Sequence, residues 1–316
     1  MTDIPDLEAI RQAHRRIAPY IHRTPVMTSR LVDEWAAASV FCKCENLQRA
    51  GAFKIRGATN AVMCLDDDAL SRGVATHSSG NHGAALSLAA GFRGAPAYIV
   101  MPETASKAKL TAVEGYGGRI IHCGSEPTDR QRVLERVLAD TGARLVHPFD
   151  DYRVIAGQGT TALELLDQVP DLDMILVPVG GGGLISGIAL ALGHVRPAVR
   201  VIGVEPRGVD DAYRSFRAGR IIPVPDGGSI ADGLLTTVGA RTFDIISRRV
   251  DDIVTVEESE IVEAMRFIWT RMKLVVEPSA AVPMAGLLAG KVDASGGRVG
   301  VVFSGGNVDL DQLPWR

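Results

Sequence analysis

Short runs of Val, Ile, Leu and Met recur along the chain, and most give way to a glycine- or serine-rich turn and then a longer apolar stretch. Val74-Ala75-Thr76 leads through Ser78-Ser79-Gly80-Asn81-His82-Gly83 into Ala84 to Ala90, and Ala97 to Met101 closes on Pro102. Met174 to Val177 leads through Gly180 to Gly183 into Leu184 to Leu192. Val201 to Val204 runs into Glu205-Pro206, and Val299 to Phe303 into Ser304-Gly305-Gly306. Unbroken apolar runs predict strands buried on both faces, and their alternation with helical stretches predicts an α/β fold with parallel sheets. Thr255 with Glu258 fits a capping box, followed at helical spacing by Ile261, Met265, Ile268 and Met272, a stripe that reads as core rather than cofactor contact. The length suggests two domains, and no repeat, low-complexity tract or long linker separates them, so they are expected to be interleaved.

Composition narrows the function. The apolar share of 46% with 22% charged residues is that of a folded soluble chain. A formal net charge of −3 offers no long-range pull on nucleic acid or an anionic membrane, and the densest basic cluster, Arg11, Arg15 and Arg16, reads as a solvated helix face. Cys42, Cys44, Cys64 and Cys123 form no C-x-x-C pair, which favours free thiols in a reducing compartment. Met1 to His14 is too charged for a signal peptide and no apolar run is long enough to span a membrane; a cytoplasmic location is expected.

Ligands of open α/β sheets sit beyond the carboxyl ends of the strands, where three of these turns fall. Gly180-Gly181-Gly182-Gly183 exposes successive backbone N–H groups ahead of a helix, enough to hold a phosphate; a tight turn is the alternative, but would need only one or two glycines. The dinucleotide fingerprint fails there at Ile185 and Ser186, and Gly286 to Val292 is one residue short of a P-loop. Lys54, in Gly51-Ala52-Phe53-Lys54-Ile55-Arg56-Gly57, stands beside an aromatic and among small residues, as a desolvated Schiff-base lysine would, or as any surface lysine. The loop Ser78 to Gly83 suits a carboxylate or an ordinary helix cap, and Ser304 either a ligand or a cap.

The four motifs in this order resemble the fold-type II pyridoxal-phosphate enzymes of the tryptophan synthase β-like fold, in particular the serine racemase and threonine/serine dehydratase family, from about Thr24-Pro25 to Leu310. The resemblance implies two interleaved open parallel-sheet α/β domains: residues 1–72 with 151–316 as the large cofactor-binding domain and 73–150 as the small substrate-loop domain. It implies that Lys54 carries the cofactor, that Phe53 packs by its ring, and that Gly180, Gly181, Gly182 and Gly183 hold its phosphate. Asn81 would bond the ring oxygen, Ser304 would face the pyridine nitrogen, and Glu277 would lie nearby. Ser78, Ser79, Gly80, Asn81 and His82 would cradle the substrate α-carboxylate. A serine at the pyridine nitrogen leaves it mostly neutral, which favours expulsion of a β-leaving group over transamination.

The implied activity is dehydration and deamination of L-threonine or L-serine to a 2-oxo acid and ammonia, with Lys54 as base. Arg130, where racemase-like members place an arginine, would instead bind a second carboxylate and point to 3-hydroxyaspartate. Ser79 opposite Lys54 would allow racemisation as a side activity. Glu205, the carbonyl of Val209 and Asp211 resemble a divalent-cation site for Mg²⁺, Ca²⁺ or Mn²⁺, with a solvated acidic turn as the alternative. A homodimer is implied, and no regulatory domain is expected after Asn307. A cysteine synthase-like β-replacement enzyme and a non-catalytic cofactor binder share this fold.

Overall fold

The computed structural model describes residues 3–78, 80–105, 107–124 and 126–315. Its strands are β1 (Val26–Met27), β2 (Ser39–Cys44), β3 (Val74–His77), β4 (Ala97–Pro102), β5 (Arg119–Cys123), β6 (Arg144–Leu145), β7 (Met174–Pro178), β8 (Arg200–Pro206), β9 (Asp252–Val256) and β10 (Arg298–Phe303). They form a six-stranded sheet in the order β1-β2-β10-β7-β8-β9 and a four-stranded sheet in the order β5-β4-β3-β6. Every pairing is parallel except that of β1 with β2.

Helices cover both faces of the larger sheet, which is why β7, Met-Ile-Leu-Val-Pro, is buried at every residue. One face packs on Ile155, Leu184 and Ile188, the other on Met265, Val282 and Met284. The smaller sheet packs Ile99 on Leu86 on one side and Val100 on Leu134 and Val137 on the other. The apolar stripe is core as expected: Ile261, Met265 and Ile268 are buried and Met272 packs beside them. Its cap is not the expected one. Thr255 belongs to β9, and the helix Glu258–Phe267 is capped by Glu257, whose N–H donates to Glu260 at 2.8 Å. The pattern matched two residues early because strand and helix directly abut. Strands β2, β5 and β9 lack a clean apolar run, since each carries lysine, arginine, histidine or aspartate.

The lysine of β2 reports a feature that hydropathy hides. Lys43 is wholly buried, and its ammonium donates to Thr24 O at 2.8 Å, Glu164 at 2.9 Å and Gln168 at 2.9 Å. Arg56, also wholly buried, donates twice to Glu45 (2.7 and 2.8 Å) and twice to Glu164 (both 2.8 Å). Two cations and two carboxylates thus cancel inside the protein. Burial alone would raise Glu164, but Arg56 and Lys43 more than offset it and hold its pKa at about 2. The cluster ties the helix Lys54–Met63 to the end of β2 and to the helix Tyr152–Gln168. The two helices cross so closely that a Cβ on Gly157 would lie 2.6 Å from Arg56 O.

Candidate active site

The carboxyl ends of β3, β7 and β10 open onto one cavity of about 510 Å³ between the two sheets. Lys54 starts its helix at the cavity wall because two short 3-10 turns, Glu45–Leu47 and Arg49–Gly51, carry the chain from β2 back toward β10. Its Nζ donates to Pro148 O at 2.9 Å and lies 5.1 Å from the centre of the Phe53 ring. Burial pushes its pKa down to about 8, against an opposing pull from Glu277.

The four glycines follow β7. Gly182, at φ +85°, caps the helix Gly183–Val195, so the free first-turn amides of that helix face the cavity. No side chain fits at Gly181, where a Cβ would lie 2.3 Å from the Phe149 ring, or at Gly182, where it would lie 2.8 Å from Ile246. Gly181 O accepts from Thr242 Oγ1 at 2.8 Å, which fixes the loop from behind.

Asn81 opens the helix Asn81–Gly91 and reaches across the cleft. Its Nδ2 donates to both Glu277 oxygens (2.8 and 3.1 Å), and its Oδ1 accepts from Asn307 Nδ2 at 2.9 Å. Burial pushes Glu277 up to about 8. Ser304, almost fully buried, lines the cavity at the end of β10. Ser78 and Gly80 also line it, with Gly80 N–H donating to Ser78 Oγ at 3.3 Å. His82 lines the cavity too; its Nε2 lies 3.0 Å from Val146 O, and burial pushes its pKa down to about 3. Its ring is neutral in the cavity wall. Ser79 lies outside the described residues.

Arg130, on the helix Pro127–Thr141, lines the same cavity and lies near enough to His77 to add to the lowering of its pKa by burial. The first-turn amides of two helices, a buried amine and a guanidinium thus converge on one cavity. The sequence pattern of the family described as pyridoxal-phosphate dependent enzyme matches residues 17–305. The chain belongs to this family.

Relatives of this pyridoxal-phosphate enzyme agree over the whole chain. It is 50% identical over 313 residues to the beta-hydroxyaspartate dehydratase of Paracoccus denitrificans, covering 99% of each chain. It is 46% identical over 308 residues to the L-threo-3-hydroxyaspartate ammonia-lyase of Saccharomyces cerevisiae, covering 97% of this chain and 94% of the other. The structure of maize serine racemase superposes with a TM-score of 0.96 at 46% identity, covering 98% of this chain and 95% of that one.

The residues present fit the cofactor. An amine with a depressed pKa, a glycine loop packed too closely on its neighbours to carry side chains, the positive end of a thirteen-residue helix and a serine hydroxyl share one cavity. The expected metal residues lie elsewhere, at the end of β8 and in the turn after it. Glu205 accepts from the N–H groups of Ala212 (3.0 Å) and Tyr213 (2.8 Å), and Asp211 accepts from Val238 N–H at 2.9 Å. Burial, then Asp211, pushes Glu205 well above the usual carboxylate range, and burial takes Asp211 to about 6. Asp211 Oδ1 is buried without a hydrogen-bond partner, and Val209 is buried beside it in sequence. Among the described residues no cluster of three or more His, Cys, Asp or Glu could hold a metal. Two carboxylates and a carbonyl would not form one.

Sequence reasoning missed several residues of the site. Asn307 was visible in the Ser-Gly-Gly-Asn motif, and its bond to Asn81 explains its place there. Lys109 and Asp232, paired at 2.5 Å across the cavity, gave no local signal because they come from opposite sides of the cleft. Pro148 and Phe149 were equally silent.

Proposed function

We propose that this enzyme is an ammonia-lyase that removes water from 3-hydroxyaspartate, giving oxaloacetate and ammonia. Arg130 carries the choice: it lines the cavity that holds Lys54 and supplies a fork for a second carboxylate, which L-serine and L-threonine lack. The names of the Paracoccus and yeast relatives support the same substrate. Bound in the cavity, pyridoxal phosphate supplies the electron sink that weakens bonds at the substrate Cα. The backbone of Gly180 to Gly183 would hold its phosphate, and Ser304 would serve its ring without adding charge; all five residues line the cavity. Lys54, its amine biased toward neutrality by burial, takes the Cα proton. The amides at the start of the helix Asn81–Gly91 hold the α-carboxylate and Arg130 the β-carboxylate, so the Cα–H bond is presented to Lys54. Loss of the β-hydroxyl as water and hydrolysis of the resulting imine balance to one oxaloacetate and one ammonia.

The test compares oxaloacetate release from 3-hydroxyaspartate with 2-oxo acid release from L-serine and L-threonine. Arg130→Ala is expected to lower kcat/KM for 3-hydroxyaspartate about 10- to 100-fold while sparing L-serine, from loss of one or two charged hydrogen bonds. Equal loss on both refutes the assignment. Racemisation of serine is a second reading, favoured by the fit to maize serine racemase, with Ser79 as the opposing base. No deuterium entering unreacted L-serine in D₂O removes it.

We also propose that Glu205, the Val209 carbonyl and Asp211 hold Mg²⁺, with Ca²⁺ and Mn²⁺ as alternatives; the unpartnered Asp211 Oδ1 and two carboxylates with raised pKa values support this. A cytoplasmic homodimer is proposed in addition, with residues 1–72 and 151–316 as one domain and 73–150 as the other. No helix among the described residues is long and apolar enough to cross a membrane.

A further inference from the structure

Between β6 and the helix Tyr152–Gln168, residues 146–150 touch both ends of the cofactor site. Pro148 O accepts from Lys54 Nζ at 2.9 Å, the Phe149 ring lies against Gly181, and the Phe149 backbone and Cβ lie against Gly183. Asp150 Oδ1 accepts from the N–H groups of Arg241 (2.9 Å) and Thr242 (3.1 Å), and Thr242 in turn bonds Gly181 O. A single side chain folds this segment. His147 Nδ1 accepts from Asp150 N–H at 2.9 Å and Phe149 N–H at 3.4 Å, the pattern by which asparagine fixes a turn. Its ring also meets Phe149 edge-on, with centroids 4.6 Å apart.

We propose that His147 is a positioning residue whose Nδ1 folds residues 147–150 so that one turn sets both the Lys54 amine and the Gly180–Gly183 loop. Acceptance at Nδ1 requires a neutral ring, and burial, then the neighbouring His77, pushes its pKa down to about 4. Asp150 and Asp151 oppose that shift and Lys54 reinforces it. A charged His147 would donate where the turn needs an acceptor. The inference rests on the cofactor assignment above.

Two substitutions separate the acceptor from the ring. His147→Asn keeps an acceptor atom at the same distance from Cβ and loses the ring; His147→Phe does the reverse. Two readouts apply to the full chain: competitive labelling of Lys54 by acetic anhydride against pH in cofactor-free protein, and the dissociation constant for pyridoxal phosphate. In the Phe variant the Lys54 midpoint is expected to rise by about one pH unit as water reaches the amine. Cofactor affinity should fall about tenfold or more. The Asn variant is expected to match the parent in both. A folded Phe variant with the parent's midpoint and affinity overturns the proposal, as does a folded Asn variant that loses both. If the Phe variant does not fold, the Asn variant decides alone. A parent protein that takes up no pyridoxal phosphate sinks the functional reading instead, and the labelling still tests His147.

Discussion

The buried charge cluster makes a quantitative prediction. Arg56→Met leaves Lys43 alone against Glu45 and Glu164, one uncompensated negative charge in a site where the Glu45 and Arg56 side chains are wholly inaccessible. Breaking a buried pair in this way costs roughly 3–5 kcal/mol. Adding Glu45→Met removes the surplus charge and refills the space with a side chain of similar length, while the Lys43–Glu164 pair survives. The remaining penalty is the Thr24 hydroxyl, which loses its acceptor at 2.6 Å, about 1–3 kcal/mol. The double variant should therefore be more stable than Arg56→Met alone by about 2 kcal/mol, whereas additive losses would make it less stable than either single variant. Urea unfolding followed by far-ultraviolet circular dichroism on parent, both single variants and the double variant measures it. Additive losses, with coupling below about 0.5 kcal/mol, would refute the view that charge balance rather than individual hydrogen bonds governs this site.

Lys54 has a folded pKa of about 8 against an ordinary 10.5, so its charged form is disfavoured in the folded protein at all pH values below 8 and the cost disappears only above the ordinary value. Lys54→Met should therefore raise the thermal midpoint of cofactor-free protein at pH 7, and this gain should vanish near pH 10.5, while turnover falls by about 10³-fold or more. Gly181→Ala sets a methyl 2.3 Å from the Phe149 ring and should cost about 1–3 kcal/mol, with weaker pyridoxal phosphate binding by equilibrium dialysis. Chelation with EDTA should lower the thermal midpoint and Mg²⁺ restore it, and Asp211→Asn should abolish the response; an unchanged parent midpoint removes the metal site.

What the sequence by itself determined is what depends on neighbours along the chain. Apolar runs marked β3, β4, β7, β8 and β10, and the turns after β3, β7 and β10 carried Asn81, Gly180 to Gly183 and Ser304 to their places because residues at a strand's carboxyl end are positioned by that strand. Lys54 could be singled out from its motif, but its depressed pKa could not, since the burial that lowers it comes from a wall assembled from distant segments, Pro148 among them. The tertiary structure alone decided that Arg56 is a core residue, that Lys109 meets Asp232 across 123 positions, and that the His82 ring reaches Val146 O while lining the cavity. The physical reason is range. Backbone periodicity and turn chemistry act over a few residues, whereas burial and charge pairing are properties of whichever segments the fold brings together.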